Sequence, residues 1–274
     1  MDDWFVSYYR DHYTDSVRDL LTPERSLAEV EFILRETGLK PPAKVADVAC
    51  GEGRHAAILA ARGFQVLGVD QNADFLAKAR AATPAAAHAE YVVGDMRQAI
   101  GGPYDLVLSL FHSFGFFSDT GNARMLRAWG DRLTLGGQLV MDIWNRDRIL
   151  RHFEAEHTWQ AGHELRVTER RRFDPLTGRL FIHYVYAYKE GQQFTHDASH
   201  RLYTPPEMRA LLISAGIEVR AVYGTLTGEP YHLDAPRLVI FGRKVQRASM
   251  GMDVEVGRSV TNPRVPAVTE EQRT

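Results

Sequence analysis

The sequence has very little cysteine and no excess of charge of either sign. Cys50 is the single cysteine among 274 residues, so neither an internal disulfide nor a cysteine-rich zinc site can form. The 33 basic and 35 acidic side chains give a formal net charge of −2, whereas dedicated nucleic-acid-binding proteins usually carry a clear basic excess. We therefore expect a protein of a reducing compartment that has no nucleic acid as its partner.

Long apolar segments are also missing. No uninterrupted apolar run approaches the roughly 18 residues that a membrane-spanning helix needs. The N-terminal stretch MDDWFVSYYR carries acids where a signal peptide needs basic residues, and it lacks an apolar core. These absences predict a cytoplasmic protein without a membrane partner. The overall composition, 45% hydrophobic and 25% charged, is ordinary for a globular protein.

Short apolar strands alternate with helical segments in the first half of the chain. A strand over 44–48 leads through a glycine turn into an alanine-rich helix over 54–62. Further strands are predicted over 65–69, 91–93, 104–110 and 138–142. This alternation predicts an α/β fold with a mostly parallel sheet and helices on both of its faces.

Changes in composition and periodicity along the sequence divide the chain into five parts. Residues 151–203 contain three runs rich in β-branched and aromatic residues, joined by turn sequences, and predict an inserted antiparallel three-stranded β meander. The final segment has no aromatic residue and little periodicity, which predicts disorder. The predicted parts are an N-terminal helical lid (1–40), a core (41–150), the insertion (151–203), the C-terminal part of the core (204–245) and a disordered tail (246–274).

The glycine turn and a following acid point to an adenosine ligand. Gly51 and Gly53 allow backbone N–H groups to approach a ligand at the start of a helix. Asp70 ends the second strand about twenty residues later, where a carboxylate can accept both ribose hydroxyls. Because the loose dinucleotide pattern G-x-G-x-x-A is also satisfied, an NAD(P)-dependent oxidoreductase stays open as an alternative.

The wider run VADVACGEGR, 45–54, resembles motif I of the class I S-adenosylmethionine (SAM)-dependent methyltransferases of the small-molecule type. Gly94-Asp95-Met96 is similar to that family's adenine-binding element, and LGGQL, 135–139, resembles the turn before its fifth strand. The resemblance covers about 45–142. It implies a Rossmann-like seven-stranded sheet with an antiparallel seventh strand, SAM as cofactor and a small-molecule acceptor. A SAM-binding sensor without turnover is the other alternative.

The resemblance also implies which residues bind the cofactor. It places the amino-acid end of SAM near Asp47 and Arg54, and a cation in the first turn of a helix independently favours an anionic ligand nearby. Phe5, Tyr9 and Tyr13 lie on one helical stripe and predict an aromatic lid that suits the positive sulfonium. The predicted cofactor-binding residues are Tyr9, Tyr13, Asp47, Ala49, Gly51, Gly53, Arg54, Asp70, Gln71, Asp95, Met96 and Leu110.

Candidate catalytic residues follow the fourth strand, at the edge where open α/β sheets bind their ligands. His112 is the first candidate for a general base, with His200 and Tyr203 as secondary candidates. The predicted acceptor-binding residues are Phe111, Trp144, Tyr186 and Tyr231. The inserted meander is expected to cover the acceptor pocket or to form a homodimer contact.

Two sequence signatures of other methyltransferases are missing from the segments that follow the fourth and fifth strands. The segment 109–115 lacks the Asn-Pro-Pro or Asp-Pro-Pro sequence with which many nucleic-acid amino-methyltransferases hold a flipped base, which argues against DNA or RNA as acceptor. Asp142 and Asn145 match poorly the adjacent acid and amide ligands of a metal-dependent catechol-type site. We therefore expect no metal.

Overall fold

Two β-sheets organise the chain, and the computed structural model describes residues 4–9, 11–98 and 101–245. The predicted tail, 246–274, lies outside the described residues. The helices are α1 (Trp4–Tyr8), α2 (Asp11–Val17), α3 (Pro23–Thr37), α4 (Arg54–Ala61), α5 (Ala73–Ala82), α6 (Asp119–Arg132), α7 (Arg146–Arg151) and α8 (Pro205–Ser214). The strands are β1 (Lys44–Val48), β2 (Gln65–Asp70), β3 (Ala89–Val93), β4 (Tyr104–Ser109), β5 (Leu133–Trp144), β6 (Glu156–Ala161), β7 (Leu165–Asp174), β8 (Arg179–Tyr188), β9 (Gln193–Arg201), β10 (Ile217–Tyr223) and β11 (Arg237–Lys244).

The larger sheet has seven strands within the described ranges, in the order β10-β11-β5-β4-β1-β2-β3. Strands β1 to β5 pair in parallel, whereas β11 runs antiparallel to both β5 and β10. The predicted Rossmann-like sheet with an antiparallel seventh strand is therefore confirmed. In such sheets ligands bind beyond the carboxyl ends of the parallel strands.

Alternating side chains give this sheet two buried faces. On β4, Leu106 and Leu108 pack with α3, α4 and α5, while Val107 packs with α6 and α8 on the opposite face. The period of two follows from the pleat of a strand. Because helices cover both faces, the strands are apolar almost throughout, as parallel strands usually are.

The second sheet has one strand more than the sequence predicts. Strands β7, β8 and β9 form the expected antiparallel meander, and β6 adds a fourth strand at the edge, in the order β6-β7-β8-β9. Most side chains of β6 are exposed and polar, so it has no apolar alternation that would reveal it. Its backbone hydrogen bonds to β7 define this strand. The prediction of a three-stranded meander is therefore corrected to a four-stranded sheet.

The N-terminal helices lie against the inner face of the second sheet. The ring of Tyr8 on α1 is 5.0 Å from that of Tyr184, and the ring of His12 on α2 stacks 3.8 Å from that of Phe194. On its other side α1 packs through Phe5 into the core of the larger sheet. Helices α1 and α2 thus stand between the two sheets. Within the described segments, no helix has the length and apolar character needed to cross a membrane.

Candidate functional site

The glycine turn has a left-handed backbone at three positions, two of which are glycines. After β1, the chain passes through positive φ angles at Ala49 (59°), Gly51 (57°) and Gly53 (74°) before α4 begins. A Cβ atom on Gly53 would also lie 2.7 Å from the Cβ of Ala79. The turn is therefore fixed both by its φ angles and by close packing against α5.

A cavity of about 190 Å³ lies between this turn and the N-terminal helices, at the carboxyl edge of the larger sheet. The predicted cofactor residues that line it are Tyr9, Tyr13, Asp47, Ala49, Gly51, Arg54, Asp70, Gln71, Asp95, Met96 and Leu110. Gly53 is not among the lining residues. Its contribution is to the shape of the turn. The sequence did not single out Thr14, Val17, Leu21, Cys50, Phe75, Ser113 and Phe116, which also line the cavity.

Two side chains of opposite charge have buried polar atoms at this site that find no partner among the described residues. Asp47 is 2% exposed, and its Oδ2 has no hydrogen-bond partner among the described residues. Burial raises the pKa of the Asp47 carboxyl to about 7. Nη2 of Arg54 is likewise buried without a partner in the described part of the chain. Buried polar atoms are normally hydrogen-bonded, so this pair fits a zwitterionic ligand with one ammonium and one carboxylate group.

Glu29 on α3 holds Arg54 in place. Its Oε2 accepts a 2.5 Å hydrogen bond from Nη1 of Arg54 and lies 2.8 Å from Nε2 of His55, while its Oε1 accepts from Nε of Arg25 at 2.8 Å. Burial opposes ionisation of Glu29, but the hydrogen bond from His55 and the charge of Arg54 outweigh it and lower its pKa. Burial lowers the pKa of His55 to about 4, so this ring is neutral. Sequence reasoning missed Glu29, since nothing in α3 marks it apart from other surface-type acids.

Asp70 is oriented by two backbone hydrogen bonds. Its Oδ2 accepts from the N–H of Gly51 at 2.8 Å, and its Oδ1 accepts from the N–H of Asn72 at 2.9 Å. Burial raises the pKa of this carboxyl. Each carboxylate oxygen has a second acceptor position, so the group can still accept hydroxyl hydrogens from a ligand in the cavity.

The end of β2 also ties α1 to the turn. The side chain of Gln71 donates to the carbonyl of Phe5 at 3.2 Å, and that of Asn72 donates to the carbonyl of Tyr9 at 2.8 Å. The lid predicted from the aromatic stripe therefore has specific polar anchors next to Asp70.

Asp95 lines the cavity, but its carboxylate already has a cation. Nε of Arg97 lies 2.9 Å from its Oδ2, and the Arg97 guanidinium in turn lies 4.7 Å from the ring centre of Phe117. Burial opposes the ionised form, but the hydrogen bonds from Arg97 lower the pKa of Asp95. A ligand amine at this position would share the carboxylate with Arg97.

The candidate bases lie outside the wall of this cavity. His112 has a φ angle of 67°, and its ring contacts the guanidinium of Arg237. Burial and the charge of Arg237 lower its pKa well below the usual value. Burial and the charge of Arg179 lower the pKa of His200 to about 3. These two rings and Trp144 border a separate, much smaller cavity behind Phe114.

Tyr203 is held in a hydrogen-bond network. Its hydroxyl donates to Oδ1 of Asp119 and accepts from Nδ2 of Asn122, both at 2.9 Å. Burial raises the pKa of this phenol. The general-base assignments therefore stay predictions, and the structure puts none of the three groups among the described residues that line the larger cavity.

Of the predicted acceptor residues, Phe111 lines the larger cavity and the others lie elsewhere. Tyr186 is 1% exposed on the inner face of the second sheet, where α2 covers it. The hydroxyl of Tyr231 donates to Oδ1 of Asn145 at 2.9 Å. Tyr186 packs against α2. The two roles expected of the meander, to cover the acceptor pocket or to form a homodimer contact, stay predictions.

Comparison with known proteins identifies the class of this fold. Residues 45–137 match the family model described as a methyltransferase domain. The chain is 29% identical over 211 residues, 74% of its length and 81% of the relative, to dTDP-3-amino-3,6-dideoxy-alpha-D-glucopyranose N,N-dimethyltransferase of Streptomyces fradiae. It is 29% identical over 164 residues to glycine/sarcosine N-methyltransferase of Halorhodospira halochloris, 57% of this chain, and it spans 61% of that relative's length.

Among solved structures, the CcbJ methyltransferase from Streptomyces caelestis matches with a TM-score of 0.72 at 20% identity, covering 86% of this chain and 100% of the other. This likeness concerns the fold. The match over 45–137 and the sheet order together show that the chain carries a methyltransferase domain of the class I fold. The family resemblance stated from the sequence is confirmed.

Proposed function

We propose that this protein is a SAM-dependent methyltransferase that methylates an amine of a small molecule and releases S-adenosylhomocysteine (SAH). The observation that carries the proposal is the pair of unpartnered atoms, Oδ2 of Asp47 and Nη2 of Arg54, in a cavity that also contains Asp70. This arrangement lies within a methyltransferase domain.

The chemistry of the cavity fits each part of SAM. Arg54 suits the methionine carboxylate, Asp47 suits the ammonium group, and Asp70 suits the two ribose hydroxyls. Aromatic faces of Tyr9 and Tyr13 suit the positive sulfonium. When bound, SAM supplies a methyl group that is already activated towards a nucleophile.

The chain's own contribution is to align an acceptor and to exclude water. Helices α1 and α2 close the cavity from the side of the second sheet, and Phe5 and Phe116 seal it with apolar rings. Alignment of two reactants within a water-free site can account for much of the lowering of the barrier.

An amine acceptor is favoured by the position of the candidate bases. A hydroxyl acceptor needs a base to take its proton during transfer, whereas a neutral amine attacks through its lone pair. His112, His200 and Tyr203 lie behind the cavity wall, and each has a partner or a lowered basicity. Both curated relatives named above are N-methyltransferases by their descriptions.

The buried Asp47 argues against the NAD(P) alternative. A dinucleotide would bring its pyrophosphate to the glycine turn. Asp47 is buried and lines the same cavity as Gly51, so its ionised form would repel the phosphates. A SAM-binding sensor would bind the cofactor without giving a methylated product, so an assay of turnover distinguishes it from an enzyme.

Calorimetry and a methyl-transfer assay test the proposal together. We expect SAH to bind and NADH not to bind, and labelled SAM to give a methylated amine from a panel of amino acids and amino sugars. An Arg54→Gln variant should lose SAH affinity, while Asp197→Asn, which removes the charge of an acid that is 85% exposed on β9, should not. Binding of NADH without SAH would contradict the proposal, and SAH binding without any product would favour a sensor.

We further propose that the enzyme is cytoplasmic and acts without nucleic acid. We also propose that the chain has the five parts predicted from the sequence. Because α1 and α2 cover the inner face of the second sheet, a homodimer contact through this sheet would use its outer face. Light scattering after gel filtration measures the mass: a dimer supports that contact, and a monomer contradicts it.

A further inference from the structure

His200, near the end of β9, has a buried polar atom without a partner. The residue is 3% exposed, and its Nδ1 makes no hydrogen bond within the described part of the chain. Burial and the charge of Arg179 lower its pKa to about 3, so the ring is neutral and has one N–H and one nitrogen with a free lone pair. Buried polar atoms are normally hydrogen-bonded, and an unpaired one is costly. The Nδ1 atom therefore indicates a ligand group that pairs with it.

The smaller cavity at His200 has room for one small group. His112 and Trp144 line it together with His200, and its volume is about 10 Å³, close to the space that one water molecule needs. The ring centre of His200 lies 4.5 Å from that of Trp144, 5.0 Å from that of Trp4 and 5.2 Å from that of Phe116. A group that pairs with Nδ1 is therefore small and enters largely aromatic surroundings.

The loop between β4 and α6 forms a wall between the two cavities. Its residues divide between them: Leu110, Phe111, Ser113 and Phe116 line the larger cavity, whereas His112 and Phe114 line the smaller one. The cavities thus lie on either side of one loop, at the carboxyl edge of the sheet where such folds bind their ligands.

The ring of Phe116 stands between the larger cavity and His200. It lines the larger cavity, and it also packs against the imidazole ring. The larger cavity, at about 190 Å³, is smaller than typical ligand pockets of roughly 300–1,000 Å³, so SAM leaves no room in it for an acceptor. Turning Phe116 to another rotamer would join the two cavities and supply that room.

We propose that the reacting amine of the acceptor binds at His200 once Phe116 has turned aside, and that an N–H group of this amine donates a hydrogen bond to Nδ1. The inference deepens the proposed function and rests on it. Burial and the positive charge of Arg179 act on this place and disfavour a protonated amine, so the amine binds in its neutral, nucleophilic form. Because the ring of His200 stays neutral, it orients the amine and does not take its proton.

This hydrogen bond leaves the lone pair of the amine free for the methyl group. The lone pair forms the N–C bond while the S–C bond breaks, and the sulfur keeps the electron pair. The ammonium product then loses a proton to solvent. Since a neutral tertiary amine has no N–H to donate, the site should accept primary and secondary amines, and a primary amine should gain at most two methyl groups.

Isomeric amines test this assignment on the unmodified protein. N-ethylglycine and N,N-dimethylglycine have the same atoms, but only the first has an N–H when neutral; N-ethylethanolamine and N,N-dimethylethanolamine form a second pair. Glycine, ethanolamine and glucosamine complete the panel, and all are assayed for turnover with SAM. We expect kcat/KM to favour the N-ethyl isomer by roughly 5–100-fold, the factor for leaving a buried polar atom unpaired.

Variants of His200 then locate the effect. His200→Leu should lower kcat/KM for a reactive amine by a similar factor and reduce the difference between the isomers, whereas His200→Gln, whose amide oxygen can accept, should lose less. The melting temperature of His200→Leu should not fall, because an unpaired buried polar atom is removed. His183→Leu, which replaces a 40% exposed histidine on the neighbouring β8, is the control and should leave the kinetics unchanged. SAH affinity should be retained in all three variants.

The outcomes separate this inference from the proposed function. Absence of SAH binding by the unmodified protein, or SAH binding without any methylated product from the panel, would overturn the proposed function itself. Equal turnover of the two isomers, a trimethylammonium product, or unchanged kinetics in His200→Leu, as expected if the cavity holds only water, would overturn the assignment of His200 alone. The comparison of isomers needs no variant, so it decides the matter even if His200→Leu fails to fold.

Discussion

At the scale of single residues, the site depends on charges that are buried in the protein before any ligand arrives. Asp47 and Arg54 follow from the glycine-turn pattern, because motif residues adjacent in sequence stay adjacent in space. Asp70 follows from its place at the end of β2, the strand that pairs with β1. Glu29 and Arg237 do not, because their contacts join positions far apart in the chain. Sequence patterns can name the side chains of a loop, whereas the partners that orient those side chains emerge only with tertiary packing.

The raised pKa of Asp47 predicts how cofactor binding depends on pH. With a pKa of about 7, this carboxyl is mostly protonated at pH 6 and ionised at pH 8. An ammonium group binds the ionised form, so each unit below the pKa costs up to about tenfold in affinity. We expect SAH affinity, measured by calorimetry, to rise roughly tenfold from pH 6 to pH 8. Asp47→Asn should bind more weakly and with a flat profile; a flat profile in the unmodified protein would contradict this role.

Asp70 should contribute a second part of cofactor affinity. Asp70→Ala should raise the Kd for SAH by roughly 10–100-fold, because a charged hydrogen bond is worth ~1.5–3 kcal/mol. Asp70 also accepts hydrogen bonds from Gly51 and Asn72, so the alanine variant can loosen the turn as well. Asp70→Asn, which keeps one acceptor oxygen, should lose less. Equal affinity in Asp70→Ala would rule out contact with the ribose.

At the scale of elements, periodicity accounts for most of what the sequence could predict. Apolar runs predicted the strands of the larger sheet, because helices cover both of its faces. Strand β6 was missed because an exposed edge strand needs only backbone pairing. The alternation in β8 puts Tyr184 and Tyr186 on one face, but alternation does not say what covers that face. In the structure, α1 and α2 cover it.

The glycine turn gives a prediction with an internal control. Gly53→Ala forces a side chain into a φ of 74° and puts its Cβ 2.7 Å from that of Ala79. Gly38→Ala has a similar φ of 66° and no atom within 4 Å. Both should lose ~1–2 kcal/mol in free energy of unfolding from the backbone, and Gly53→Ala should lose ~1–3 kcal/mol more from overpacking. Denaturant titration measures both losses. SAH affinity should fall in Gly53→Ala alone, and equal behaviour of the two variants would contradict the packing argument.

If α1 and α2 act as the lid that the sequence predicts, they control how fast the cofactor leaves. Phe5 is 5% exposed and lines the cavity, whereas Val6 on the same helix is 43% exposed. Phe5→Ala should speed SAH dissociation by about tenfold, equivalent to ~1.4 kcal/mol, because it opens the apolar seal. Stopped-flow displacement gives the rate, with Val6→Ala as the control. An unchanged rate in Phe5→Ala would mean that the helix does not close the site.

At the scale of the whole molecule, two sheets enclose one pair of short helices, and the cavity lies where those helices meet the carboxyl edge of the larger sheet. The class of fold was predictable because the alternation of strands and helices, the two glycine-containing turns and the closing strand pair all indicated one topology. The group of arginines around Phe111 was not, because Arg25, Arg54 and Arg237 come from α3, α4 and β11.

The most direct test of the central claim is a crystal structure grown with equal concentrations of SAH and NAD. The account predicts SAH in the cavity, with its carboxylate on Nη2 of Arg54, its ammonium group on Oδ2 of Asp47 and its ribose hydroxyls on Asp70. A cavity without SAH, or one in which the NAD pyrophosphate lies on the glycine turn, would contradict it.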